Sequence, residues 1–292
     1  MQAHARASFV VAALTLFSCK SDHAAPGAAP SATAIPAPSL PPPRAPHVVT
    51  QGNDVARTGA YLSETILTPS RIGAGSFGML FARPVDGDVY AQPLYLWQLR
   101  FPSGPRNVVY VATEHDTVYA FDADDPSASD PIWQTSIGQP TTIPNPYFGL
   151  DRDPAVCKQA TYNLREVGIT STPVIDLASG TLYVVGLVQD ATVSVPYEAC
   201  TDLAMASPTY CQTNPCNGPQ FRLELHALDI ITGAERPNSP AIIEASVPGG
   251  GDGNVNGTLA FDPTLHLQRP GLLLSKGRIY IATASYGEVC AT

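Results

Sequence analysis

Charged residues are scarce in this chain, and basic residues are the scarcer class. Only 14% of the 292 residues are Asp, Glu, Lys or Arg, and 16 Lys and Arg against 25 Asp and Glu give a formal net charge of −9. A protein with this balance has no basic surface to neutralise a phosphate backbone. We therefore expect no nucleic-acid partner. The hydrophobic content of 44% is enough for a sizeable core.

Common enzyme motifs are also missing. The sequence contains no serine-nucleophile elbow and no HExxH metal motif. The glycine-rich stretch PGGGDGNVNG, residues 248–257, is not followed by the helix pattern or the lysine that phosphate-binding loops require. A turn is the favoured interpretation of this stretch. The alternation of Asp252, Asn254 and Asn256 leaves a calcium loop as the alternative, although the glutamate that ends such loops is absent.

The N-terminal apolar run ASFVVAALTLFS is too short to cross a bilayer as a helix. It follows a short segment with one Arg and ends before Cys19, which is typical of an export signal. The sequence LFSC, residues 16–19, resembles the lipobox of bacterial lipoproteins, which implies cleavage before Cys19 and acylation of its thiol. We predict a lipoprotein signal peptide over residues 1–19. An ordinary secretory signal is the alternative, and both export the chain.

Residues 20–47 are rich in Pro and Ala and contain the stretch PGAAPSATAIPAPSLPPPRAP. Such a segment has too little apolar surface to form a core and favours extended polyproline II structure. We predict a disordered linker that acts as a spacer between the membrane and a domain over residues 48–292.

From Val48 onward the sequence predicts β-strands and no amphipathic helix. The predicted strands are short, rich in Val, Ile and Tyr, and bounded by Gly, Pro, Asp or Asn. They are NVVYVAT, TVYAFDA, IWQTSI, TLYVVGLV, LELHALD, AIIEASV, GLLLS and RIYIATA. The predicted fold class is all-β.

The order of these strands repeats. Each unit opens with a strand preceded by or containing a proline, continues to a tyrosine followed by Val or Ile, and the first two units then reach YAFDAD or HALDIITG. The prolines are Pro93, Pro173 and Pro270, and the tyrosines are Tyr110, Tyr183 and Tyr280. The units are longer than the ~40–50 residues of a compact propeller blade, so long loops are expected inside them.

Two stretches carry a resemblance to a known family. ALDIITGAERP, residues 227–237, is similar to the repeat signature of quinoprotein-type (PQQ-like) β-propellers, and AFDADDPSASDPIW, residues 120–133, is similar to the same signature with a loop inserted. The resemblance covers roughly residue 53 to the end. The matching signature residues are Asp122, Trp133, Asp229, Thr232 and Gly233.

The resemblance implies blades of four antiparallel strands. It also implies that the Asp and the Thr-Gly turn join the third and fourth strands, and that the Trp packs between neighbouring blades. The second copy has Pro237 where the Trp is expected. About two and a half blades are visible, fewer than the 4–8 of known propellers. We therefore expect a fragment in which FGMLFARPVDG, residues 77–87, is the outer strand of a final blade. A small complete sandwich is the alternative.

The cysteines other than Cys19 number five. In an exported protein, two insertions at residues 140–165 and 190–219 are expected to be held by disulfides, with the pairing left open. The candidates are Cys157, Cys200, Cys211 and Cys216, whereas Cys290 has no evident partner. At least one disulfide is predicted inside the second insertion. A zinc site at Cys211 and Cys216 is the alternative, but a second ligand pair is missing.

Two further groups of polar residues stand out. Glu114, His115 and Asp116 cluster in TEHDT at a predicted hairpin tip, where exposed turn residues are the favoured interpretation and catalysis is the alternative. His226 occupies the position that matches Tyr119 in the first unit. We interpret His226 as a packed or hydrogen-bonded core histidine.

Two function classes follow. We favour a non-enzymatic, lipid-anchored binding or scaffold protein at the cell envelope, exported to the periplasm or the cell surface. Its rim loops would bind a protein or another envelope component, and it would need no cofactor. The alternative, implied by the resemblance, is a quinoprotein dehydrogenase of alcohols or sugars that uses PQQ and calcium. The sequence lacks the adjacent Cys-Cys pair of many alcohol-oxidising members. Fold resemblance alone does not decide the chemistry.

Overall fold

The structure is a computed structural model that describes residues 46–62, 64, 66–73, 77–142, 166–196, 217–250, 254–264 and 266–285. Residues 45–292 form one compact unit. The described part of the chain contains a single short helix, α1 at Pro69–Gly73, and otherwise strands and turns. The prediction of an all-β fold is therefore confirmed. No helix in the described part is long and apolar enough to cross a membrane.

The first sheet is a four-stranded antiparallel meander. Its strands are β1 (Leu94–Phe101), β2 (Gly104–Ala112), β3 (Thr117–Asp122) and β4 (Trp133–Ser136), in that spatial order. Val48 pairs with Tyr95 on the outer edge of β1, so the folded chain includes the residue at which the domain was predicted to begin. His47, assigned to the linker, accepts a hydrogen bond from the amide of Trp97 through Nδ1 at 3.1 Å.

The second sheet has the same construction. A short antiparallel pair of strands, β5 (Thr141–Thr142) and β6 (Glu166–Val167), comes between the two sheets in the sequence. The second sheet then follows in the sequential order β7 (Val174–Asp176), β8 (Thr181–Pro196), β9 (Asn217–Asp229) and β10 (Ala241–Ile242). All its pairings are antiparallel.

Strand registers show that the two sheets are repeats of one unit. Val111 pairs with Tyr119 in the first sheet, and Val184 pairs with His226 in the second. Three residues before each valine, Val108 pairs with Asp122 and Thr181 pairs with Asp229. Because both pairs match at the same offset, the alignment of Tyr119 with His226 and of Asp122 with Asp229 is confirmed.

Smaller hairpins complete the described fold. The remaining strands are β11 (Ser246–Pro248), β12 (Thr258–Ala260), β13 (His266–Leu267), β14 (Leu273–Ser275), β15 (Arg278–Tyr280) and β16 (Ala284–Ser285). They pair as β11 with β12, β13 with β16, and β14 with β15. In the last pair Leu273 faces Tyr280, as Leu94 faces Tyr110 and Val174 faces Tyr183 in the two larger sheets. The third unit thus begins with the same hairpin.

The second sheet is buried on both faces, which explains the apolar run of β8. Val184 and Leu182 of β8 belong to a core cluster shared with the first sheet. Val185 and Leu187 point to the opposite face and belong to a second cluster, against which Leu274 of β14 packs. Each fully buried Val or Leu contributes about 1.5–3 kcal/mol, so these two interfaces supply much of the stability of the sheet.

Residues 77–80 of the segment FGMLFARPVDG are exposed and pair with no strand in the described part of the chain. Met79 and Leu80 are 86% and 90% exposed. The expectation that this segment completes a distant sheet is not tested by these contacts.

Candidate functional site

The turn between β2 and β3 buries two carboxyl groups. Glu114 and Asp116 are 1% and 0% exposed, although both lie in a four-residue turn. The interpretation of TEHDT as an exposed tip is therefore wrong for these two residues, whereas the side chain of His115 is 44% exposed. The reason is that two distant segments, residues 84–90 and 166–172, pack over the turn.

The first of these segments is held by Asp86. One carboxylate oxygen of Asp86 accepts a hydrogen bond from Thr113 Oγ1 at 2.9 Å, and the other accepts one from Thr117 Oγ1 at 2.6 Å. The amide of Glu114 donates to the carbonyl of Asp88 at 2.9 Å. The two threonines that flank the turn thus fix a loop that precedes β1.

The second segment begins at β6. Oε2 of Glu114 accepts hydrogen bonds from the amide of Gly168 at 2.9 Å and from Thr170 Oγ1 at 3.0 Å. His115 Nδ1 lies 2.8 Å from Oε2 of Glu166, and this hydrogen bond raises the pKa of His115. Sequence reasoning did not select Glu166, because only the fold brings β6 to this turn.

Asp116 occupies the space that two glycines leave. A Cβ on Gly168 would lie 2.5 Å from Oδ1 of Asp116, and a Cβ on Gly186 of β8 would lie 2.6 Å from the same atom. Both carboxylate oxygens of Asp116 and Oε1 of Glu114 are buried without a hydrogen-bond partner among the described residues. Burial raises the pKa of Asp116 well above its ordinary value and that of Glu114 to about 7.

Next to Asp116, strand β9 carries a row of charged or titratable side chains, Arg222, Glu224 and His226. Glu224, the cross-strand partner of Gly186, lies 3.4 Å from Nε2 of His226 and 4.0 Å from Arg222. His226 is 3% exposed, and its Nδ1 lies 3.0 Å from Glu235. The prediction of a packed, hydrogen-bonded histidine at position 226 is confirmed.

The five residues of the repeat signature lie at the other end of the strands. Asp229 accepts hydrogen bonds from the amides of Ile231 and Thr232 at 2.8 and 3.0 Å, and Thr232 Oγ1 lies 3.2 Å from the same oxygen. Asp122 closes its own turn in the same way, through the amides of Asp124 and Asp125. These acids stabilise turns, as Asp commonly does.

Trp133 and Thr135 of the first sheet contact the signature turn of the second. The indole nitrogen of Trp133 donates to the carbonyl of Ile230 at 3.2 Å, and Thr135 Oγ1 donates to the carbonyl of Gly233 at 2.8 Å. Tyr110 of β2 donates to the same Ile230 carbonyl at 2.8 Å. In the first sheet the amide of Ile132 donates to the carbonyl of Ala120, and in the second the amide of Arg236 donates to the carbonyl of Ala227. The next residue is Trp133 in the first sheet and Pro237 in the second, so Pro237 occupies the position of Trp133.

A shallow polar cleft of about 280 Å³ lies beside the turn of Asp122. Asp124, Asn107 and Arg106 line it, and their side chains bond to one another or to Asp122. These three lining side chains are therefore already engaged with protein groups. Among the described residues, no group of three or more His, Cys, Asp or Glu is arranged to hold a metal ion.

Other predicted sites are only partly visible. Cys19 and the candidate disulfide residues Cys157, Cys200, Cys211 and Cys216 lie outside the described residues, as does Cys290. The glycine-rich stretch connects β11 and β12, whose pairing makes it a hairpin connection, and Asn254 accepts a hydrogen bond from the amide of Gly257 at 3.2 Å. Asp252 is outside the described residues.

The strands β8 and β9 extend beyond the rest of their sheet as a two-stranded ribbon. Their pairing continues past Asp190 with Gln220 to Pro196 with Asn217, whereas β7 pairs only with residues 181–183 and β10 only with residues 224–225. Arg222 and Asp190 form an ion pair across this ribbon at 3.6 Å. The predicted insertion is thus connected to the sheet through the end of the ribbon.

Comparison of the chain with models of protein families, with curated proteins and with solved structures gave no match.

Proposed function

We propose that this chain is an exported, lipid-anchored β-propeller that acts as a non-enzymatic binding or scaffold protein at the cell envelope. The observation that supports it most is the contact of Trp133 in one four-stranded sheet with the Gly233 turn of the next. The resemblance to quinoprotein-type propellers implies a contact of this kind between neighbouring blades.

The packing of the sheets supports the propeller part of the proposal. A four-stranded sheet with apolar residues on both faces must stack against neighbours on each side. The second sheet does this, with Val184 facing the first sheet and Val185 facing the hairpin of β14 and β15. A chain of such units stacks by repetition of one interface.

The ribbon of β8 and β9 supports the binding part. In the first sheet, the strands at the equivalent positions are joined by the four residues from Thr113 to Asp116. In the second sheet the same connection contains the insertion of residues 190–219, whose ends at 190–196 and 217–219 form part of the ribbon. A connection of this length exceeds what a hairpin needs, and connections longer than about 12–15 residues are uncommon in compact domains and often functional. We assign partner binding to this insertion.

The turn with the two buried acids is a poor candidate for a PQQ site. PQQ is a tricarboxylate, and a site for it needs cationic groups. The side chains around Asp116 are instead acidic, since Glu114, Glu166 and Glu224 all raise the pKa of its carboxyl. The described residues at this turn therefore do not fit the quinone.

The cell-envelope location rests on the N-terminal sequence. The lipobox-like residues 16–19 and the Pro/Ala-rich residues 20–47 would attach the domain to a membrane through the acyl chains of Cys19 and hold it at a distance. The partner would then be a protein or another envelope component within reach of that tether.

Replacement of residues 190–219 by the turn Glu-His-Asp tests the binding role. The matched control shortens the Asp122–Ile132 connection to the length of its counterpart, Asp229–Arg236, at the opposite end of the strands. In chains that lack Cys19 and so carry no acyl anchor, we expect the ribbon variant to fold and lose retention on a column of solubilised envelope proteins, and the control to keep it. A folded ribbon variant with unchanged retention would contradict the proposal.

A quinone titration tests the enzymatic alternative separately. We expect no saturable absorbance change when PQQ and calcium are added to the purified chain. Stoichiometric binding together with dye-linked oxidation of an alcohol would overturn the non-enzymatic assignment.

A further inference from the structure

The carboxyl groups of Glu114 and Asp116 meet one stretch of backbone between the two sheets. Residues 167–170 lie between the β2–β3 turn and β8, since the amide of Ile169 donates to Thr113 at 3.3 Å and that of Leu187 donates to Gly168 at 3.2 Å. Gly168 faces both acids, because its amide bonds to Glu114 and its Cα lies against Asp116. The two acids thus sit where the segment that leads into the second sheet crosses the first.

The packing at this crossing has no room for added groups. A side chain at Gly168 or at Gly186 would collide with Oδ1 of Asp116. The amide of Ile137 also donates to the carbonyl of Asp116 at 2.8 Å, so the turn is tied to the end of the first sheet. The position of the Asp116 carboxyl is therefore fixed by backbone on several sides.

Burial, and after it the acidic neighbours, make ionisation of both acids costly, although the hydrogen bonds from Gly168 and Thr170 favour the ionised form of Glu114. None of the ion pairs between described residues includes Glu114 or Asp116. The titratable or charged groups that face them are His115 and Glu166, Asp86 and Asp88 of the preceding loop, and Glu224 of β9 with its neighbours Arg222 and His226. Of these groups, His115 pairs with Glu166, and Arg222 pairs with Asp190 and Glu224. A buried carboxylate without a counter-ion is strongly disfavoured, and its neutral form is the stable one.

We propose that Glu114 and Asp116 form a proton-operated lock, in which the neutral acids hold residues 166–172 between the two sheets and loss of their protons releases that segment. No covalent bond changes, and the protons go to solvent. Titration of a surface carboxyl would change little in the packing, whereas Glu114 and Asp116 are buried at the junction of the two repeats. Its opening would loosen the lead-in to β7 without requiring the strands of either sheet to separate.

The direction of the pH effect follows from the raised pKa values. The folded chain binds more protons at these sites than the unfolded chain, so raising the pH favours the opened form. For Glu114 the effect begins near its ordinary pKa of 4.5 and is complete above about 7. Asp116, whose pKa is also raised, contributes in the same direction.

Amide hydrogen exchange at Gly168, Ile169 and Leu187 tests the lock. After correction for the intrinsic rate, we expect protection of these amides to fall about tenfold or more between about pH 5 and pH 8, since each pKa unit corresponds to a factor of ten. The amides of Tyr119 and Phe121, inside the first sheet, should not change by this factor. An equal loss of protection in both groups, or none at Gly168, would overturn the proposal.

Neutral variants separate the lock from other titrations. In Glu114→Gln with Asp116→Asn, the pH dependence of protection should fall to the part that the His115–Glu166 pair contributes, which Glu166→Gln alone removes, whereas the exposed-site control Asp125→Asn should keep the full dependence. A double variant that retains the full pH dependence would contradict the lock. An infrared band of protonated carboxyl groups is expected in the wild-type chain at about pH 6. This measurement does not depend on the folding of the variants, and absence of the band would contradict the lock as well.

A cation is the competing way to neutralise the two acids. Added calcium or magnesium should leave protection at Gly168 unchanged at about pH 8. A saturable increase in protection that a chelator reverses would overturn the proton lock and identify a metal site.

Discussion

Trp133 packs directly on Gly233, the glycine of the signature turn in the neighbouring sheet. A Cβ at position 233 would lie 2.5 Å from Cε3 of the indole. Gly233 also has a φ of +70°, a conformation that residues with side chains rarely adopt. The position therefore needs glycine for two separate reasons, its backbone conformation and the approach of the indole.

Replacement of Trp133 by alanine should destabilise the chain strongly. The side chain is 9% exposed and bonds to the Ile230 carbonyl, so we expect a loss of about 3–5 kcal/mol in the free energy of unfolding. Trp97 of β1 is 46% exposed, and its replacement by alanine should cost about 0.5 kcal/mol. Urea denaturation followed by circular dichroism measures both. Similar losses for the two variants would contradict the docking role of Trp133.

Asp229 should stabilise its turn most at neutral pH. Burial opposes its ionisation, but hydrogen bonds from Ile231 and Thr232 outweigh burial and lower its pKa. A lowered pKa in the folded state means that this stability is present above the ordinary value of 3.8 and is lost as the pH falls through the folded value. We expect Asp229→Ala to cost about 1–2 kcal/mol at pH 7 and less at low pH. Asp229→Asn, which keeps one acceptor, should cost less than Asp229→Ala.

His115 should titrate above its ordinary pKa of 6.5 because of its hydrogen bond to Glu166. The stability from this pair is therefore present below pH 6.5 and is lost as the pH rises through the raised value. In Glu166→Gln, the pKa of His115 measured by NMR should move down, whereas the control Glu244→Gln should leave it unchanged. A His115 pKa that is the same in wild type and Glu166→Gln would refute the pairing.

Local sequence signals were sufficient to predict the strands and the repeat. The Tyr-Val pairs at 110–111 and 183–184 lie in equivalent strands. This could be predicted because strands are signalled by period-two patterns and turn residues, which are local properties of the sequence. The match of His226 to Tyr119 was also readable, since it depends only on the offset from the signature Asp. Two short copies with the same spacing are enough to fix that alignment.

The buried acids were not predictable, because their burial depends on segments far away in the sequence. Nothing in TEHDT indicates that residues 166–170 or residue 186 will cover it. One signal was available: Gly168 and Gly186 interrupt stretches of β-branched residues, and isolated glycines in strands often mark a close approach of another group. That signal identifies the glycines and not the aspartate that contacts them.

Cys19 should anchor the protein. If the lipobox interpretation is right, Cys19→Ala moves the protein from the membrane fraction to the soluble fraction, because the acyl chains provide the attachment. Cys290→Ala removes a different cysteine and should leave the protein in the membrane fraction. Immunoblots of fractionated cells measure both. Retention of Cys19→Ala in the membrane fraction would contradict the lipoprotein assignment.

The docking of one four-stranded sheet on the next is the claim on which the propeller proposal depends, and a double-mutant cycle tests it most directly. Gly277 has the same φ of +70° with open space around it, so Gly277→Ala measures the backbone penalty alone. In the wild-type background, Gly233→Ala should cost clearly more than Gly277→Ala, because the new Cβ collides with the indole of Trp133. In the Trp133→Ala background, the cost of Gly233→Ala should fall toward that of Gly277→Ala. An unchanged cost in the two backgrounds would show that Trp133 and Gly233 do not touch, and it would contradict the account.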